Sequence, residues 1–269
     1  MNVYESNFEW PEGTRIHALR IIQALPKTTP APNEPRIGVA DQSNARTVLG
    51  TAPVEADGSA YFEAPVGKVI YFQALDEQGM AVQSMRSVAF VHPGEHLSCR
   101  GCHEPRLTSP ALASTDVPLA MRRPPSSITP EPEGSNPFSF IRLVQPVLDK
   151  HCVGCHEEKE QALPLCGTIE GPHGFSRAYN TLAREFGFYY DVSNSVTYDP
   201  RRSARSTAGR FGARESRLMR HLEDHKDVTL SEEDRRRLIV WLDANSEFFG
   251  AYDDIEAQSR GEIVYATLH

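Results

Sequence analysis

Four of the five cysteines fall into two copies of one short pattern, Cys99-Arg-Gly-Cys102-His103 and Cys152-Val-Gly-Cys155-His156. A Cys-x-x-Cys-His run meets the demands of covalent haem attachment: each thiol adds to one vinyl group of the porphyrin, and the adjacent imidazole is held where it reaches the iron. The macrocycle dictates that spacing, so these ten residues constrain the chain more than its composition does. The expected cofactors are two covalently bound haem c groups. Cys99 and Cys102 are the expected anchors of the first, Cys152 and Cys155 of the second, with His103 and His156 as the metal ligands beside them.

Other uses of the thiols fit less well. Four-thiolate zinc sites place about 15 to 20 residues between the two pairs, whereas 49 lie between Cys102 and Cys152. A thioredoxin-like redox pair wants a βαβ setting that neither copy has. Disulfides within each pair leave the repeated histidine unexplained, and five cysteines are an odd number for a disulfide framework. Cys166, in "ALPLCGT", is expected to be a small buried apolar residue.

The formal charge of -8 argues against a nucleic-acid partner, since phosphate binding wants a basic surface. No apolar run approaches the ~18 residues that a membrane-spanning helix needs. The start "MNVYESNFEWPEG" shows neither the basic nor the apolar region of a signal peptide. Haem c is attached outside the bacterial cytoplasm in most systems, so the motifs imply a periplasmic protein. The chain is therefore expected to be a fragment of a longer exported protein, or to have its true start upstream.

Three textures divide the chain. From Arg15 to about Val91, short runs of Val, Ile, Phe and Tyr are broken at Asp57-Gly58, Gly67 and Gly79, which predicts antiparallel strands with a hairpin turn at Asp57-Gly58. Residues 1–109 are expected to form a β sandwich or barrel ending in the first motif. Residues 110–137 hold seven prolines and no apolar period, and are expected to be an extended linker containing the domain boundary. Residues 138–269 turn helical. Phe140, Ile141, Val144, Val147 and Leu148 recur at helical spacing up to the second motif, with Pro146 expected to bend that helix. Ser231 followed by Glu232, Glu233 and Asp234 predicts a capped helix carrying Leu238, Trp241 and Leu242, with Gly250 as its end marker. The fold class is α+β, multidomain.

The sixth iron position decides the chemistry, because a bis-His or His/Met iron favours electron transfer and an open one binds small ligands. His225 is the favoured distal ligand of the second haem; Met219, His221, His173 and His269 are the alternatives. For the first haem, His92, His96, His17 and Met85 remain open beside a five-coordinate iron. Seven arginines between Arg201 and Arg220 are either a solvated basic face or a receiver for propionates or an acidic redox partner.

With these residues in view the chain resembles the haem-bearing C-terminal half of the hydrazine synthase alpha subunit family. The stretches that carry the resemblance are "VLGTAPVEADGSAYFEAPVGKVIYFQALDEQGMAVQSMRS", "CRGCH", "HCVGCH" and "DHKDVTLSEEDRRRLIVWLDANSEFFGAY". It implies a β-rich middle domain with one haem, then a mainly α cytochrome c-like domain with a bis-histidine haem whose distal ligand is His225. It also implies an N-terminal propeller, absent here as a fragment requires. One departure matters: the family's catalytic haem is ligated by a tyrosine four residues past the motif histidine, and that position is Leu107. Hydrazine synthesis is not implied, and His103 is expected to be an ordinary proximal ligand.

The resulting expectation is a dihaem c-type cytochrome module passing electrons to a redox partner protein. The alternatives are an oxidoreductase acting on a small-molecule ligand at the first haem, and a zinc-stabilised binding module.

Overall fold

The computed structural model describes residues 1–103, 108, 116–190, 206–225 and 227–266. Four strands, β1 (Ala18–Ala24), β2 (Arg46–Pro53), β3 (Ile70–Leu75) and β4 (Ala81–Ser84), form one antiparallel sheet in the order β2-β1-β3-β4. Alternation along β1 sorts its side chains to two faces. Leu19 and Ile21 join outer clusters with Ala74, Val82, Leu49 and Ile70, whereas Ile22 joins Val48 and Tyr71 in the main core.

A tight turn at Asp76–Gly79 joins β3 to β4, with Gly79 N–H donating to Asp76 O at 3.0 Å. The expected turn at Asp57-Gly58 also forms, Gly58 N–H donating to Glu55 O at 2.9 Å, but its arms carry no extended ladder. The antiparallel α+β class stands. No second large sheet faces the first among the described residues, so the sandwich or barrel is replaced by a single sheet covered by helices on one side and irregular segments on the other.

One of those segments is the proline-rich stretch. Thr129 and Thr51 exchange backbone hydrogen bonds at 2.8 Å, Ser126 bridges to Phe62, and Ile128 packs against the Ile21–Leu49 cluster. Proline lacks the N–H that a continuous ladder needs, so the pairing comes as isolated bridges. Residues 116–137, with one 3-10 turn at Leu119–Arg122, are laid along the sheet.

The helices are short. Ser139 Oγ accepts from Arg142 N–H and opens α1 (Phe140–Leu143). The chain breaks at Val144 before α2 (Gln145–His151), which places Pro146 in a first turn where its missing N–H costs nothing. The expected bend is thus a break between two helices. Then follow α3 (Val153–Glu158), a two-residue hairpin β5 (Ile169–Glu170) and β6 (Phe175–Ser176), and α4 (Arg177–Glu185). Beyond these come α5 (Gly212–Glu215), α6 (Arg217–Asp224), α7 (Glu232–Asp243) and α8 (Ile255–Ser259).

Ser231 caps α7 as expected, its Oγ accepting from Asp234 N–H at 3.1 Å. The helix stops at Asp243, where Asn245 and Ser246 turn left-handed at φ 66° and 47°, and not at Gly250. Gly250 serves close packing instead. A Cβ there would lie 2.2 Å from Phe138 N.

One core joins the two halves. Ile22, Val48 and Tyr71 of the sheet pack with Phe140, Tyr179, Trp241 and Phe248, whose rings meet edge-on or stacked at 4.9 to 6.5 Å between centroids. Residue Phe248 N–H also donates to Ile37 O at 3.0 Å, tying the chain after α7 to the loop after β1.

Candidate functional site

The second motif is built on α3. Cys152 is its N-cap, and His156 N–H donates to Cys152 O at 3.0 Å, so the two thiols sit one turn apart and the imidazole lies over the first of them. Cys152 packs against the main core while Cys155 is exposed. His156 Nδ1 lies 2.9 Å from the carbonyl oxygen of Leu163. A carbonyl only accepts, so Nδ1 carries the proton and the neutral ring keeps its lone pair on Nε2. Among the described residues no hydrogen bond occupies Nε2. Leu163 itself is 39% exposed.

The first motif lies on the outer side of the sheet. Cys102 packs against the cluster of Val3, Ile16, Leu19 and Val82. Burial pushes its thiol up to about 12, and raises those of Cys99 and Cys152. Gly101, at φ +95°, passes so close to the N-terminal segment that a Cβ would stand 2.1 Å from Glu5 O and 2.5 Å from Asn2 O. Residues 2–5 therefore brace the first motif. His103 is exposed.

These donor sets fit covalent haem. Each offers two free thiols and a histidine in the required order, and the second shows its imidazole already oriented through Nδ1. No three His, Cys, Asp or Glu side chains converge as a metal cluster among the described residues, so the zinc reading finds no site there.

The distal candidates differ in their surroundings. His225 is the exposed C-cap of α6 and makes no hydrogen bond to the second motif. Met219 is only 3% exposed and belongs to the main core. His221 is exposed with its ring 5.2 Å from that of Phe186, and His173 stands 5.6 Å from Phe175. His269 and Leu107 lie outside the described residues. Near the first motif, His92 and His96 are exposed, His17 is half-buried and Met85 packs against the main core.

Of the arginine stretch, Arg201, Arg202 and Arg205 lie outside the described residues. Arg214 pairs with Asp76, and Arg217 reaches Glu185 at 3.5 Å over the Phe186 ring. Cys166 is half-buried rather than buried, because its Sγ turns outward to Thr168 Oγ1 at 3.6 Å; that hydrogen bond lowers its thiol.

Sequence reasoning missed the buried charges of the core. Arg20, in the middle of β1, bonds Glu131 at 3.0 Å and Asp243 at 2.7 Å, and Arg46 pairs with Glu247 and Ser43 inside the core. A charged residue within an apolar strand was the available signal for Arg20, and nothing local marks Glu131, Asp243 or Glu247 as buried.

Comparison with known proteins adds to this. The family described as hydrazine synthase alpha subunit middle domain matches residues 14–104. A curated relative, hydrazine synthase subunit alpha of Kuenenia stuttgartiensis, is 23% identical over 87% of this chain and 38% of its own length. The solved Kuenenia stuttgartiensis hydrazine synthase superposes with a TM-score of 0.63 at 19% identity, over 91% of this chain and 40% of that one. The chain thus spans about two fifths of the length of those relatives and shares their fold. Residues 14–104 match the hydrazine synthase alpha subunit middle domain, and the chain as a whole is similar to the hydrazine synthase alpha subunit in sequence and in fold.

Proposed function

We propose that the chain is a dihaem c-type cytochrome module for single-electron transfer, working within a larger periplasmic redox assembly. The observation that carries this reading is the second motif: two thiols one helical turn apart and an imidazole held by its Nδ1–H on the Leu163 carbonyl. In this reading Cys99, Cys102, Cys152 and Cys155 anchor the porphyrins, His103 and His156 ligate iron, and His225 is the distal ligand of the second. Bound haem supplies one-electron oxidation and reduction of its iron. The protein's part is to hold each group at a set place against a stiff core.

The domain division that goes with it is a β-rich part at 1–109 with the first haem, a proline-rich connection at 110–137, and a cytochrome c-like part at 138–269 with the second. A partner is proposed by likeness, since the curated relative is by name one subunit of hydrazine synthase. Leu107 stands where the family has its iron-ligating tyrosine, so hydrazine synthesis is not part of the proposal. A second reading, chemistry on a small molecule at the first haem, is favoured by the placement of Met85, which is packed into the main core rather than held out as a ligand.

The test is direct. Protein produced with a c-haem maturation system and extracted with acid acetone is expected to retain two haems per chain by pyridine haemochrome assay. Complete loss of haem on extraction would falsify both redox readings. Carbon monoxide or cyanide then separates them: a spectral change at the first haem supports the second reading, and silence at both supports pure transfer.

A further inference from the structure

Away from both motifs, a cleft of about 90 Å3 opens between the loop after β1 and the outer face of α4, lined among others by Arg36, His173, Phe175, Tyr179, Asn180 and Arg184. Its floor is aromatic: Phe175 and Tyr179 are 5% and 1% exposed, with ring centroids 4.9 Å apart. The Tyr179 hydroxyl is already committed, accepting from Val39 N–H at 2.8 Å and donating to Ser246 O at 2.7 Å. Arg36 is committed too, to Asp41 and to the carbonyls of Gly38 and Val39 at 3.4 and 3.3 Å.

The other three polar groups are not. Arg184 and Asn180 stand four residues apart on one face of α4, and neither has a hydrogen-bond or ion-pair partner among the described residues. His173 makes no side-chain hydrogen bond or ion pair among the described residues, and its ring stands 5.6 Å from that of Phe175. A guanidinium, an amide and an imidazole therefore border one cleft with no hydrogen-bond or ion-pair partner for their side chains among the described residues, and with Arg36 neutralised by Asp41 the uncompensated charge is positive.

Size narrows the ligand. An engineered cavity of about 150 Å3 holds benzene, and a water occupies about 30 Å3 of liquid. A volume of about 90 Å3 is smaller than that benzene cavity and suits a group of three or four heavy atoms. The planar fork of arginine matches a planar two-oxygen acceptor. We propose that this cleft binds a small planar oxyanion of the carboxylate class, held by Arg184 with Asn180 and His173 and resting its apolar side on Phe175 and Tyr179. Because the cleft is walled by both the 36–39 loop and α4, an occupant clamps the two together and stabilises the native state by mass action.

Acetate is the probe. The full chain is titrated with sodium acetate against sodium chloride at constant ionic strength, following thermal unfolding and the backbone amide NMR signals. The expected result is a saturable rise in melting temperature with acetate only, and shifts confined to residues 36–39 and 173–184. Arg184→Ala, at an exposed position, is expected to weaken binding at least tenfold. Arg260→Ala, on an exposed arginine paired with Glu262, is expected to leave it unchanged. A rise that is linear, or equal in chloride, overturns the proposal, as does undiminished binding in Arg184→Ala.

Discussion

Arg20 Nη1 of β1 stands 2.7 Å from Asp243 Oδ2 at the end of α7, a contact spanning 223 positions of sequence between side chains 1% and 0% exposed. Asp243 also accepts from Ala81 N–H and Ala213 N–H at 2.9 Å each, and Arg20 donates to Glu131, Gln73 and Gly79 O. The sheet, the proline-rich stretch and the last long helix thus close on one guanidinium. Such a network stabilises only when complete, because an unpaired buried charge is costly.

Asp243→Ala is therefore expected to destabilise the protein by about 3–5 kcal/mol, the cost of leaving a buried arginine short of its partner. Urea unfolding followed by tryptophan fluorescence measures it. A loss below about 1 kcal/mol, the range of an exposed pair, shows that the contact does not join the two halves.

Glu247 has its own pH signature. It is fully buried, its Oε2 has no hydrogen-bond partner among the described residues, and burial pushes it up to about 7 against the pull of Arg46 and Ser43. An unfolded glutamate titrates near about 4.3, so between that pH and about 7 the folded chain holds a proton that the unfolded chain has released. Stability contributed by this group is present at the acid end and falls as pH rises through the window, by about 4 kcal/mol in all. Denaturation curves from pH 5 to 8 on wild type and Glu247→Gln check it. The variant should show the flatter dependence, and parallel curves refute the assignment.

Gly101→Ala places a Cβ against two carbonyl oxygens at a left-handed φ. Strain of about 1–3 kcal/mol is expected, relieved by residues 2–5 moving off the first motif. Hydrogen exchange should show faster exchange in that segment alone. Unchanged protection there means that the N-terminal segment does not brace Gly101.

The two residues favoured or reserved as distal ligands should separate cleanly. Met219→Ala is expected to cost about 2–5 kcal/mol through the cavity left in the main core, with no change in the haem spectrum. On the proposed dihaem reading, His225→Ala, at an exposed cap, should leave stability within about 0.5 kcal/mol and turn the second haem into a form that binds carbon monoxide. A low-spin six-coordinate spectrum surviving in His225→Ala moves the ligand elsewhere.

Much of this was legible locally. The Ser231 cap and the burial of Leu238, Trp241 and Leu242 follow from one turn of helix and its apolar spacing, which neighbours alone establish. Pro146 was legible as a disruption but not as the opening of a new helix, since that depended on Val144 packing into the core. Gly250 read as a helix stop, yet Asn245 and Ser246 make the stop and Gly250 admits the Phe138 backbone. The stretch 116–137 read as a free connection because proline suppresses ladders; that it is fastened by Thr129 and Glu131 is a matter of what lies opposite.

By itself the sequence determined the order and spacing of thiol and imidazole at Cys99–His103 and Cys152–His156, because bond-forming geometry over five residues is set by the backbone between them. Only the tertiary structure decided that Arg20, Glu131, Asp243 and Glu247 are buried, that one core serves both sheet and helices, and that Arg184, Asn180 and His173 border one cleft. Burial and convergence depend on surfaces contributed by residues far apart along the chain, and no local pattern carries that information.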